Sequence, residues 1–224
     1  MAQMVLPPWN EVPELLDPAQ SFIKLEQVAA QLGSVLEATE LDVATAESCT
    51  GGLIAGMITA ISGSSSWFDC GFVTYNNGAK CDLLEVRPRV LERYGAVSEF
   101  TAREMAWGAL RGSEAQLSVA VTGIAGPTGG SSHKPVGTVC MALACRAPDC
   151  VMVKTYHFSG DRGAVRAQTV YEALRGLMLL APCIERDEYG DALELPEGEI
   201  YPAMVAAGYH PEPEDIGPRD SDAD

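Results

Sequence analysis

Two side chains of nucleophile type, Ser48 and Cys49, stand next to each other in TAESCTGG, residues 45–52. An apolar run precedes them and two glycines follow. This is the pattern of a strand-to-helix turn, and open α/β folds place their ligands at that edge of the sheet. Gly51 and Gly52 permit close backbone approach, and the N-terminus of the next helix can offer N–H groups to an anion or an oxyanion. The plainer alternative is that Ser48 or Thr50 only caps that helix. The spacing differs from the G-x-S-x-G elbow of α/β-hydrolases. A helix N-terminus also lowers thiol pKa, so Cys49 is conceivable as the nucleophile. It has no histidine partner visible in the sequence, which favours Ser48 and leaves Cys49 as a small buried residue.

A serine hydroxyl needs a base. The chain has three histidines, His133, His157 and His210, and none has an evident carboxylate partner in sequence. Lys80, in TYNNGAK (74–80), is the alternative. Burial would have to bring its pKa from about 10.4 to about 7–8. Tyr75, at the start of the same stretch, offers a hydroxyl that could relay the proton. Read on spacing alone, the plainer reading is favoured: Lys80 is a solvated helix residue and Tyr75 packs.

Two further stretches could bind an anion. Thr122 leads into GIAGPTGG (123–130), where Gly123, Gly126, Gly129 and Gly130 surround Pro127 and Thr128 after an apolar strand. Backbone N–H groups of such a loop can cradle a phosphate or a carbonyl. The loop lacks both the Walker lysine and the G-x-G-x-x-G spacing, and a simple connection is the alternative. In GDRGAVRAQ (160–168), Arg162 falls in the first turn of a helix. A cation there opposes the helix dipole unless an anion sits beside it. A salt bridge to Asp161 or another acid is the alternative.

The elements that must position these residues follow from periodicity. Asp17-Pro18 starts a first helix whose apolar residues, from Phe22 to Leu36, recur at helical spacing. LDVATAE (41–47) reads as a strand, and Leu53 to Ile61 as a helix. DCGFVTYN (69–76) is a second strand, followed by two short helices in GAKCDLLEV and PRVLERYG. A Thr101–Glu104 capping box predicts the start of the next helix. AQLSVAVTG (115–123) is a strand, and VGTVCMALAC and VMVKTYHFSG form a hairpin across Pro148-Asp149. Asp161 caps a last helix with Val170, Ala173, Leu174, Leu177 and Met178 inward. The alternation predicts a three-layer α/β/α domain with a mixed sheet. Residues 1–17 read as an irregular arm, 18–183 as the domain and 184–224 as an acidic tail, largely disordered or loosely docked.

Composition limits the function. The 224 residues carry a net charge of −16, and the segment from Cys183 to Asp224 holds 13 acids and 2 bases. The body is only mildly acidic, which argues against broad nucleic-acid binding. No apolar run is long enough for a membrane span, and the N-terminus does not read as a secretory signal. The seven cysteines show no CxxC spacing. Neither a disulfide framework nor a zinc site is expected, and free thiols in a reducing cytosol fit better.

TAESCTGG, SSSWFDCGFVTYNNGAK, YGAVSE, TGIAGPTGG, KPVGTV and FSGDR occur together, and in this order the chain resembles the CinA C-terminal-domain family in its stand-alone form. The resemblance covers about residues 22–180. It implies an amidohydrolase that takes nicotinamide mononucleotide and water to nicotinate mononucleotide and ammonia, without metal or cofactor, in a cytoplasmic homo-oligomer. It implies Ser48 as nucleophile, Tyr75 and Lys80 as its activating partners, Arg162 as a substrate-binding or catalytic residue, and a pocket shaped by residues 122–130. Asn76 stands where the family pattern has serine. A non-catalytic nucleotide-binding protein linked to DNA uptake or repair is a second reading, and a Ser/Lys amidase for another small amide is a third.

Overall fold

The computed structural model describes residues 6–8, 11, 18–147, 149–184 and 202–211; of 18–20 only the backbone is described. The Asp17 cap and Pro148 of the expected turn lie outside these residues.

The sheet has six strands: β1 (Val43–Glu47), β2 (Phe68–Val73), β3 (Leu117–Gly123), β4 (Thr138–Cys145), β5 (Cys150–His157) and β6 (His210–Pro211), in the order β2-β1-β3-β4-β5-β6. β1 runs parallel to both β2 and β3, whereas β3–β4, β4–β5 and β5–β6 are antiparallel. The helices are α1 (Pro18–Thr39), α2 (Leu53–Thr59), α3 (Asn77–Leu84), α4 (Pro88–Tyr94), α5 (Glu99–Arg111), α6 (Arg162–Leu180) and α7 (Pro202–Ala206). Among the described residues no helix is long and apolar enough to cross a membrane.

Strand alternation divides the core into two unequal faces. Val43, Leu117, Val119, Val121, Met141 and Leu143 point into the cluster formed with α1, α2 and α6. Ala44, Ala46, Ala120, Ala142 and Ala144 point the other way, towards Ala102, Met105, Ala106 and Ala109 of α5. Large side chains thus hold one helical layer, while alanine against alanine lets α5 lie close on the other. The result is the three-layer arrangement that the element order predicts.

The start of α5 differs from the capping-box expectation. Ser98 is the N-cap and accepts from Thr101 N–H at 3.2 Å, so the helix begins at Glu99. Thr101 lies inside the first turn, its hydroxyl donates to Gly95 O, and Glu104 pairs instead with Arg87. Of the stretch expected to be largely disordered or loosely docked, residues 202–211 are described beyond Ile184, and there α7 and β6 dock on the body, with Met204 and Tyr209 fully or almost fully buried. Periodicity over so short a segment is too weak to show this. The arm contributes as well: Arg175 Nε donates to Leu6 O at 2.9 Å and Tyr171 hydroxyl to Pro7 O at 2.7 Å.

The parallel strands carry residues 47–52, 74–80 and 122–130 to one edge of the sheet. α3, which follows β2, is set against α5 by Gly108, where an added Cβ would overlap the Leu84 carbonyl oxygen and lie 2.7 Å from Leu84 Cβ. An exposed helical glycine gains about 1 kcal/mol on becoming alanine. Gly108→Ala should instead lose about 1–3 kcal/mol, because backbone must move. Urea midpoints check this, and an unchanged or raised midpoint contradicts the close crossing.

Candidate active site

β1 ends at Glu47, and the chain turns through Gly51 (φ 64°) and Gly52 (φ 93°) into α2. Both glycines occupy the left-handed region, which strains other residues. The buried Glu47 carboxylate accepts from the backbone N–H groups of Gly52 (2.9 Å), Ile54 (3.1 Å) and Ala55 (2.9 Å). This corrects the expectation that the start of α2 offers free N–H groups to a ligand, because the protein supplies its own anion there. Nor does Ser48 or Thr50 cap α2, whose N-cap is Gly52.

Ser48 is fixed by its own N–H, which donates to Val121 O at 3.0 Å. Its hydroxyl oxygen lies 3.0 Å from Lys80 Nζ, and the same Nζ donates to Thr74 O at 2.6 Å. Lys80 is 1% exposed and Ser48 8%. Asn76 is the N-cap of α3, accepting from Ala79 N–H at 2.7 Å. Asparagine caps as well as the serine of the family pattern, so the substitution keeps the helix that aims Lys80. Burial lowers the Lys80 pKa from 10.5, outweighing the upward pull of nearby thiols. The neutral form of this amine, which burial favours, keeps an N–H for the Thr74 carbonyl and a lone pair for the Ser48 proton. Cys49 is pushed up to about 12, mainly by burial, which favours the thiol over the thiolate.

Tyr75 sits elsewhere than a relay requires. It is exposed, and its hydroxyl accepts from Arg162 at 2.8 Å, while Ser48 and Lys80 meet each other directly. Arg162 also donates to Gly126 O at 3.0 Å and meets no carboxylate among the described residues. Among the described residues the salt-bridge alternative finds no partner, and Asp161 is occupied as N-cap of α6, accepting from Ala164 N–H at 2.8 Å. Beside Arg162 lies a cleft of about 450 Å³ lined by Ala125, Pro127, Val136 and Gly160. The glycine-rich loop therefore shapes the space next to Arg162. Thr122 faces inward, its hydroxyl donating to Ala96 O at 2.7 Å, and Gly123 pairs with Val139. Gly129 and Gly130 are exposed.

Two residues escaped sequence reasoning. Glu47 reads as the last residue of a strand; its role depends on a helix N-terminus that only the turn brings back to it. Arg166 donates to Thr50 O at 2.7 Å and so reaches the serine turn from α6. The four-residue spacing of Arg162 and Arg166, which puts both on one helix face, was the available signal.

At the carboxyl edge of a mixed α/β sheet, the structure thus sets a buried lysine against a serine hydroxyl. The chain belongs to the CinA C-terminal domain family, whose profile matches residues 25–181. It is 51% identical over 152 residues to "Nicotinamide-nucleotide amidohydrolase PncC" of Enterobacter agglomerans, covering 68% of this chain and 92% of that one. A "CinA-like protein" of Chlorobaculum tepidum is 49% identical over 164 residues, which span 72% of this chain and 38% of that longer protein. The crystal structure of a competence/damage inducible protein from Agrobacterium tumefaciens superposes with a TM-score of 0.65 at 48% identity, covering 67% of this chain and 91% of that one.

Two measurements check this geometry. Between the lowered folded pKa of Lys80 and 10.5, the unfolded chain binds more protons than the folded one. Wild-type stability should therefore rise with pH across that window, relative to Lys80→Met. Urea midpoints of both proteins over a pH series read this, and a pH-independent difference contradicts an uncharged buried amine. Glu47→Gln turns one acceptor oxygen into a donor facing N–H groups. It should lose about 2 kcal/mol, and unaltered denaturation would contradict the cap.

Proposed function

We propose that this protein is an amidohydrolase acting on nicotinamide mononucleotide, releasing ammonia and nicotinate mononucleotide. The observation that carries the reading is the direct contact of buried Lys80 with Ser48. The name borne by relatives about half identical in sequence supplies the substrate.

In this reading neutral Lys80 takes the Ser48 proton as Oγ attacks the carboxamide carbon. The C–N bond of the tetrahedral adduct breaks, and the Lys80 ammonium gives its proton to the departing nitrogen, which leaves as ammonia. Lys80, neutral again, takes a proton from water, whose oxygen attacks the acyl-enzyme. The ester bond breaks, Ser48 recovers a proton from Lys80, and the nicotinate product leaves. The positive charge of the pyridinium ring makes the carboxamide carbon more electrophilic and suits a neutral base. With Glu47 holding the start of α2, the proposed oxyanion donors are Cys49 N–H and Thr50 N–H, which neither Glu47 nor the strand ladder takes among the described residues. One such donor is worth roughly 3–4 kcal/mol in other enzymes.

Arg162 and Arg166 supply the positive charge for the 5′-phosphate, and Tyr75 is assigned with Arg162 to the substrate-contacting rim rather than to a relay. Thr50, Gly51 and Gly52 form the turn beneath the substrate, and Gly126 holds Arg162. The reading includes a cytoplasmic homo-oligomer; light scattering should give a mass above one chain, and a monomer at micromolar concentration would remove that part.

Ammonia release from nicotinamide mononucleotide tests the function. Ser48→Ala should lower kcat about a thousandfold or more with the circular dichroism spectrum retained; full activity in that variant defeats the proposal. The rate should rise with pH through a limb set by Lys80 and lying below 10.5, because only the neutral amine accepts a proton. Arg162→Ala should raise KM about tenfold to a hundredfold; a change confined to kcat contradicts phosphate binding by that residue.

A further inference from the structure

A second cavity, of about 530 Å³, lies where β5 and α6 meet the two terminal segments. Pro8 of the arm and Ala206 and Ala207 beyond α6 contribute to its wall. All three are outside the span matched by the family. Neither Ser48, Tyr75 nor Lys80 lines it. It is separated from the Arg162 cleft by the connection between β5 and α6: residues 157–159 face this cavity and 160–163 the other.

The charged side chains of its wall are out of balance. Glu172 and Arg175 are buried and paired at 3.1 Å, and Glu172 also accepts from the Tyr156 hydroxyl at 3.3 Å. Arg175 is held further by Leu6 O. The Glu172 carboxylate also attracts Lys154 and Arg175 opposes it; among the described residues the Lys154 ammonium has no carboxylate within ion-pair distance. Lys154 Nζ donates to Ala207 O at 2.5 Å and lies 4.5 Å and 5.4 Å from the Tyr156 and Tyr209 ring centroids. Among the described residues one carbonyl and two ring faces satisfy a half-buried ammonium incompletely, since it has three donors. Burial accordingly lowers its pKa. Gln168 fixes the rim by donating to Ser159 O at 2.7 Å, and Tyr156 stacks on Phe158 with centroids 5.0 Å apart.

The volume is that of a small-molecule site. The charged side chains of its described wall disfavour both a cationic and a purely apolar ligand. We propose that this cavity is a second binding site, distinct from the serine–lysine site, for a small anion of carboxylate or phosphate type held by Lys154. Such an anion supplies the charge and acceptor atoms that the Lys154 ammonium lacks. The site depends on the chain ends that fold over the family core, and it stands whether or not the chain deamidates nicotinamide mononucleotide.

The full chain should be titrated with inorganic phosphate and separately with malonate, at ionic strength held constant with chloride, while thermal unfolding is followed. A ligand that binds only the folded state raises the midpoint in proportion to ln(1 + [L]/Kd). Saturable stabilisation by at least one probe is expected in wild type and in Arg162→Ala. Its apparent Kd should weaken about tenfold or more in Lys154→Met and recover in Lys154→Arg. The two probes distinguish a phosphate from a carboxylate ligand. The proposal is overturned if neither probe stabilises wild type, if Lys154→Met responds as wild type does, or if Arg162→Ala abolishes the response. A crystal soaked with tungstate reads the same claim without substitution. An anomalous peak within hydrogen-bond reach of Lys154 Nζ supports it; a peak only beside Arg162, or none, overturns it.

Discussion

A lysine held out of water against a serine hydroxyl is the constraint on which the rest of this structure depends. In water the amine is protonated at neutral pH and accepts nothing. Here Lys80 is almost wholly buried, with Ser48 and the Thr74 carbonyl as its partners, and burial favours the neutral form. Each partner comes from a different part of the chain. Ser48 follows β1, Thr74 follows β2, and Lys80 rides on α3. The parallel pairing of β1 with β2 brings these ends to the same edge. Parallel strands cannot be joined by a tight turn, so a crossover such as α2 is obligatory, and the turn that starts that crossover carries Ser48, the proposed nucleophile.

The helix that the turn creates also creates an electrostatic demand. Its first N–H groups need acceptors, and a ligand phosphate could have met that need. Glu47 meets it instead, from the residue before the serine. The carboxylate therefore ties the end of β1 to the start of α2 and stiffens the link between them. On the opposite face, the alanines of β1, β3 and β4 let α5 approach, and α5 in turn sets α3 through Gly108. Packing far from the serine thus determines how deeply Lys80 sits.

Much of this was legible in the residues because the signals were local. Strand–helix alternation gave the layers, Asp161 was readable as a cap, and Ser48 and Lys80, unexceptional by spacing alone, were brought forward by the order of the family-like stretches around them. Less legible were features that depend on tertiary return of the chain. The capping box at Thr101 was displaced by Ser98 three residues earlier, an equally good cap that the local pattern does not rank. Tyr75, adjacent to the reactive loop in sequence, points to Arg162 across the rim instead of to Lys80. Tyr209 lies in a stretch whose Pro, Gly and acidic residues suppress periodicity, yet its burial against Tyr156 pins the end of the sheet.

The protonation state of Lys80 is the quantity on which the account turns, and it can be observed directly. Heteronuclear NMR of the full chain labelled at lysine side chains, with Lys80→Met used to assign the resonance, would follow the Lys80 amine across pH. The account predicts that it titrates below 10.5, separately from the solvent-exposed lysines. A Lys80 that titrates with them, or above them, would mean a charged ammonium beside Ser48, and the proposed role of that pair would be wrong.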